Sequence, residues 1–215
     1  LINDCEYTIH KEPWKYITSQ GGFFTSEVYE NLTNILYSEA VKDWTVCNGD
    51  GSDSSYPQAT VVMIDEEARE KSTGFLREFY DWLWTKELDA KIHEATGVEF
   101  KRHSWMWHLD YPGFDQPWHN DFDSYPGKEI TTFQVYMAKN NDKAHSGAMV
   151  TSICPEDDED IDVRNLSNPT MAQYQVPYTP NQAWSFTASP ETWHAVPTID
   201  FYRPSFMCRD FKIIT

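Results

Sequence analysis

From residue 99 onward the chain is written in short β-type runs, and that texture limits the folds open to it. Residues 99–111 (EFKRHSWMWHLDY) and 129–138 (EITTFQVYMA) predict long strands. Shorter runs at 148–153, 182–188, 193–197 and 204–214 follow, separated by Pro, Gly and Asn clusters. Residues 1–98 read differently. Thr25 or Ser26 predicts the start of a helix reaching about Trp44, and residues 45–58 carry loop chemistry. Ala59–Ile64 is a β-type run. Asp65 then predicts the cap of a second helix, with Phe75, Leu76, Phe79 and Leu83 on one face and Gly97 as its stop. Helices followed by many short strands predict a helical layer packed on an all-β core. We expect one domain over 1–215, with 1–98 as mixed helical support and 99–215 as the β core.

The formal net charge is -17. Such a surface repels phosphate backbones, so no nucleic-acid partner is expected, while a basic peptide is tolerated. Cys5, Cys47, Cys154 and Cys208 form no C-x-x-C pair, which argues against a thiolate zinc site and for free thiols in a reducing compartment. Asn31 and Asn165 open glycosylation patterns that matter only in a secreted protein. With no apolar run of membrane length and no basic-then-apolar leader, no membrane association is expected, and the expected location is cytoplasmic. The acidic run 156–162 predicts a solvated loop, lacking the Gly and terminal Glu of an EF-hand.

Two H-x-D pairs stand in the β region, His108–Asp110 and His119–Asp121. On a strand, residues i and i+2 project to one face, so an imidazole and a carboxylate can meet one ion. Context favours the second pair. His194 lies on a later strand as a third ligand, and Arg203-Pro-Ser205 follows nine residues after it. Two His and one carboxylate leave three positions of an iron ion open. An Arg offers a planar, permanently charged fork for a carboxylate, and Ser205, on the same face, adds a hydroxyl. On 129–138, Thr132, Gln134 and Tyr136 share a polar face, and Phe133, Val135 and Met137 an apolar one.

H-x-D, a distal His and then R-x-S resembles the Fe(II)/2-oxoglutarate-dependent oxygenases, and within them the prolyl-hydroxylase-like branch. The resemblance spans about 105–210. It implies a double-stranded β-helix core, a jelly-roll or cupin-like barrel backed by the N-terminal helices. It implies Fe(II) on His119, Asp121 and His194, with 2-oxoglutarate and O2 as cosubstrates. Arg203 and Ser205 are expected to bind the distal carboxylate, with Tyr136 and Tyr111 (of Tyr111-Pro-Gly) beside them. Arg209, six residues after Arg203, resembles the second arginine of the nucleic-acid demethylase branch, which supports the metal site. If Tyr111 points into the barrel, alternation turns Trp105, Trp107 and Leu109 inward and His108 and Asp110 away. The implied reaction hydroxylates a C–H bond. A prolyl residue in a peptide is the first candidate substrate, a free amino acid or small metabolite the second. The alternatives are a non-oxygenase cupin-like metal protein, a demethylase-type oxygenase, and a Trp-rich binding module for sugars or peptides. Trp118 and Trp193 precede the two His ligands as candidate walls of the substrate opening.

Overall fold

The computed structural model describes residues 1–12, 14–44, 59–97, 104–124, 128–139 and 176–213. The strand expected at 148–153, the acidic run 156–162, His103, His145, Cys47, Cys154 and Asn165 lie outside them.

Among the described residues the strands are β1 (Glu6–His10), β2 (Tyr16–Gln20), β3 (Ala59–Met63), β4 (Ser104–Asp110), β5 (Gln116–His119), β6 (Lys128–Tyr136), β7 (Ala183–Thr187), β8 (His194–Val196) and β9 (Arg203–Ile213). Seven of them form an antiparallel sheet in the order β1-β2-β7-β6-β9-β4-β3, and β5 pairs with β8 in a second sheet. The helices are α1 (Ser26–Leu36), α2 (Glu66–Lys71), α3 (Gly74–Leu83), α4 (Glu87–Thr96) and the single turn α5 (Asp121–Ser124).

The helical half is more broken than expected. The first helix stops at Leu36, and a separate 3-10 segment covers Glu39–Asp43. Asp65 does cap, its carboxylate accepting from the Ala68 amide at 2.8 Å, but the run to Gly97 is three helices rather than one. Gly74 (φ +58°) breaks it once, and Gly97 (φ +72°) ends it, both left-handed conformations that suit glycine. Strands β1 and β2 extend the large sheet at one edge and were not expected, being short and polar on alternate positions.

Each face of the large sheet has its own core. Phe133, Val135, Trp105, Trp107, Leu109, Phe206 and Cys208 pack against Leu32, Leu36, Phe79, Leu83, Leu88 and Ile92 of the helices. Each large apolar side chain buried there contributes about 1.5–3 kcal/mol. On the opposite face Tyr136, Trp184 and Phe186 pack with Phe114, Val196 and Ile199 around the small sheet. Two sheets enclosing a lined interior, with helices outside the larger one, make a double-stranded β-helix.

This arrangement corrects one expectation. Trp105, Trp107 and Leu109 face the helices, so Met106, His108 and Asp110 face the interior. The inverted assignment came from extending alternation to Tyr111, but β4 ends at Asp110 and Tyr111 lies beyond it.

Candidate metal centre and the wall behind it

His119 ends β5 and pairs across the small sheet with His194, which opens β8. One antiparallel rung therefore brings residues 75 positions apart in sequence into ring contact, with centroids 4.1 Å apart. Asp121 is not on the strand. It opens α5, and the chain turns between His119 and Asp121 at Asn120. The Asn120 side-chain Oδ1 accepts from the Phe122 backbone amide at 2.9 Å, and its Nδ2 donates to the Pro190 carbonyl at 2.7 Å. Asn120 thus ties the H-x-D turn to the loop that leads into His194.

One ligand atom from each of His119, Asp121 and His194 lies within 4.8 Å of the others. The Nε2 atoms stand 3.7 Å (His119) and 3.9 Å (His194) from the Asp121 carboxylate. Each Nδ1 lies against a backbone carbonyl, Pro117 at 3.0 Å and Thr192 at 2.8 Å. A carbonyl only accepts, so Nδ1 carries the proton and Nε2 keeps its lone pair toward the cluster. The Gln116 amide approaches the Nε2 of His119 at 3.1 Å, on the lone pair a metal would use.

Electrostatics keep the cluster ready for a cation. Burial pushes His119 down to about 3, with neighbouring His194 adding to the effect, and burial also lowers His194. Burial opposes ionisation of Asp121, but the positive charge of nearby Arg209 leads the effects that outweigh it and hold the carboxyl below its ordinary range. Neutral imidazoles beside a carboxylate form the donor set of a divalent transition metal. The buried Asp121 Oδ2 has no hydrogen-bond partner, which such an ion would supply. The residues fit a metal.

The interior face of β4, β9 and β6 forms the wall behind this cluster. Asp110 stands opposite Arg203, His108 opposite Ser205, and Ser205 opposite Tyr136; Thr132 stands opposite Arg209. Trp184 Nε1 donates to Gln134 at 3.0 Å, and Gln134 donates in turn to the Ser205 hydroxyl at 2.6 Å. Arg209 reaches Asp121, with Nη2 3.7 Å from Oδ2. Arg203 is buried and donates through Nε (2.9 Å) and Nη2 (2.6 Å) to one oxygen of Asp110. Burial raises the Tyr136 phenol well above its ordinary value, and it stays a neutral hydroxyl. Tyr136 Oη, Thr132 Oγ1, Arg209 Nε and Asp110 Oδ1 are buried with no hydrogen-bond partner. Unsatisfied polar atoms gathered on one wall mark a surface built to meet a polar ligand.

Of the residues expected from the sequence, His119, Asp121 and His194 come together, Arg209 joins them, and Arg203, Ser205 and Tyr136 share the adjoining wall. Tyr111 does not join them. It is 40% exposed and packs on Tyr202, with ring centroids 5.3 Å apart. Asn120, beside the cluster, and Asp110, His108 and Thr132, on the adjoining wall, are additions that the sequence reading did not place there. A count of alternation from the apolar Trp105, Trp107 and Leu109 would have turned His108 and Asp110 inward. Trp118 is buried and Trp193 half-buried.

No protein-family model and no curated protein sequence matches the chain. Solved structures do. A Pseudomonas putida prolyl-4-hydroxylase matches with a TM-score of 0.60 at 13% identity, over 92% of each chain. A Trichoplax adhaerens prolyl hydroxylase, solved with a hypoxia inducible factor oxygen degradation domain peptide fragment, matches with a TM-score of 0.59 at 12% identity, over 91% of this chain and 83% of that one. The non-heme alpha ketoglutarate dependent epimerase SnoN from nogalamycin biosynthesis matches with a TM-score of 0.55 at 15% identity, over 90% and 75%. The similarity is one of fold, and it embraces more than one reaction.

Proposed function

We propose that this chain is an Fe(II)- and 2-oxoglutarate-dependent dioxygenase that oxidises a substrate C–H bond. The observation that carries it is the His119–Asp121–His194 cluster, with Asp121 and His194 buried and His119 half-buried, beside a wall of unsatisfied polar atoms. His119, Asp121 and His194 would hold the iron, leaving open positions for a 2-oxo acid and O2. Bound together, these groups supply the oxidising power for C–H hydroxylation. The protein's own residues do the rest. The Pro117 and Thr192 carbonyls fix the imidazole tautomers. Arg209 steadies the ionised Asp121. Tyr136 and Ser205, with Arg203, present donors to the far carboxylate of the cosubstrate, and Gln134 and Trp184 hold Ser205 in place. The aromatics packed around the small sheet, Phe114, Trp184 and Phe186 among them, shield the centre from bulk water.

A prolyl residue in a peptide is the preferred substrate class, since two of the similar structures are prolyl hydroxylases, and one of them was solved with a peptide fragment. A small metabolite is the second. The approach of Arg209 to Asp121 is compatible with a demethylase-type site, yet the net charge of -17 argues against a nucleic-acid substrate.

One observation favours a second reading, a metal protein without a dicarboxylate ligand: Arg203 is already paired with Asp110. Anaerobic addition of Fe(II) and then 2-oxoglutarate decides between the two. A metal-to-ligand charge-transfer band is expected in the visible spectrum, absent in His119→Ala and Asp121→Ala. Iron binding with no band would favour the second.

A further inference from the structure

The interior face holds one charged pair that a carboxylate-binding pocket has no need of. Asp110 and Arg203 stand on the same rung of β4 and β9. Their side chains are 1% and 6% exposed, and the guanidinium donates to Asp110 Oδ2 through Nη2 at 2.6 Å and Nε at 2.9 Å. The pair sums to zero charge. A dicarboxylate arriving at Arg203 therefore meets a cation whose field is cancelled and a second carboxylate that repels it.

Nor is the pair closed on itself. Asp110 Oδ1 is buried without a hydrogen-bond partner, and so is the Tyr136 hydroxyl. The Tyr136 phenol feels both charges, Arg203 and Asp110 pulling its acidity in opposite directions beneath the larger effect of burial. A purely structural ion pair in a packed interior would have its remaining lone pairs satisfied. Here the leftover atoms lie on the same interior face as Arg203 and are left for a ligand to meet.

We infer that Asp110 is an internal competitor for Arg203 that weakens binding of a ligand's distal carboxylate and so sets the selectivity of the pocket. The inference rests on the oxygenase reading above and assigns a role to a residue outside the metal ligands. In this protein a 2-oxo acid gains little from a second carboxylate, because Asp110 already occupies the guanidinium edge that would grip it. The pocket is correspondingly open to 2-oxo acids with an uncharged end.

Calorimetry on the full chain loaded with Mn(II) tests this, using 2-oxoglutarate and 2-oxopentanoate, which has the same chain length with a methyl end. The unmodified protein should prefer 2-oxoglutarate by less than about tenfold, well short of what an unopposed buried Arg–carboxylate pair supplies. Asp110→Asn should raise 2-oxoglutarate affinity by about tenfold or more and leave 2-oxopentanoate within about threefold. Asp110→Ala should move the same way. A larger preference in the unmodified protein overturns the inference, and that measurement stands even if the variants fail to fold. A smaller gain in Asp110→Asn, or a loss, also overturns it, and a loss would make Asp110 a support that orients Arg203. If Mn(II) binds and neither acid does in any of the proteins, the cosubstrate reading fails as well. Binding of both acids with no effect of Asp110→Asn sinks the Asp110 role alone.

Discussion

At the scale of single residues, the buried polar atoms divide into those with partners and those without, and substitutions should follow that division. Arg203→Ala strands Asp110 in the interior with its donors removed. Breaking a buried pair from one side costs about 3–5 kcal/mol, so the variant should unfold at clearly lower urea concentration. Removing both partners together, Arg203→Ala with Asp110→Ala, should recover part of that loss, the signature of direct coupling. Equal stability of Arg203→Ala and the parent would mean that the pair does not form. Tyr136→Phe is the contrasting case. Its hydroxyl has no partner to lose, so the unliganded protein should be as stable as the parent or slightly more. Its effect should appear only when 2-oxoglutarate is titrated, as a loss on the order of 1–3 kcal/mol for one bond to a charged group. The members of the His119–Asp121–His194 cluster were legible from sequence because few residue types make metal-ligand sets. The partner of Arg203 was not, because an aspartate opposite it is visible only once β4 and β9 are in register.

At the scale of elements, the centre depends on where strands stop. His119 is the last residue of β5, and Asp121 the first of α5. The side chains converge because Asn120 turns the chain between them, not because they share a strand face as expected. Asn120→Ala removes both the bond to the Phe122 amide and the tie to Pro190. We expect Fe(II) or Mn(II) affinity to fall by about 10–100-fold, the usual effect of losing a residue that orients a ligand. The fold should survive, since the helix-facing core is untouched. Unchanged metal affinity in Asn120→Ala would show that the turn holds its shape without that side chain. The β4 misassignment belongs to this scale too. Alternation determined the two faces of the strand correctly, but which face was the interior depended on a strand end that fell one residue before Tyr111.

At the scale of the whole molecule, three interior histidines couple stability to pH. Burial pushes His108 down to about 4 and His119 to about 3, and it lowers His194 as well. In the unfolded chain each titrates near an ordinary pKa of about 6.5. Between these values the unfolded state binds more protons than the folded one, so folding stability is intact above about pH 6.5 and declines as pH falls toward 4 and below. For His108 alone the loss is on the order of 3 kcal/mol across that range. The metal-free melting temperature should drop steeply between about pH 6.5 and 4, and His108→Asn should flatten part of the drop. A melting temperature flat over that interval would contradict the lowered proton affinity of these rings. Bound metal should raise the melting temperature at pH 7 and lose that effect on acidification, because protons compete for the same Nε2 atoms. Among the described residues no helix is long and apolar enough to cross a membrane.

Sequence alone was sufficient for the class of core, the polar and apolar faces of β6, the cap at Asp65 and the convergence of His119, Asp121 and His194. These follow from period-two patterning, from local capping and turn chemistry, and from the short menu of side chains suited to metal-ligand sets. The tertiary structure decided the rest. It broke the expected helices, added β1 and β2 to the sheet edge and turned His108 and Asp110 inward. It left Tyr111 at the surface and placed a carboxylate on the arginine expected to bind one. Each of these depends on which strand lies beside which and on where each one ends. Those are relations between segments distant in the chain, set by the joint packing of two cores, and no local pattern encodes them.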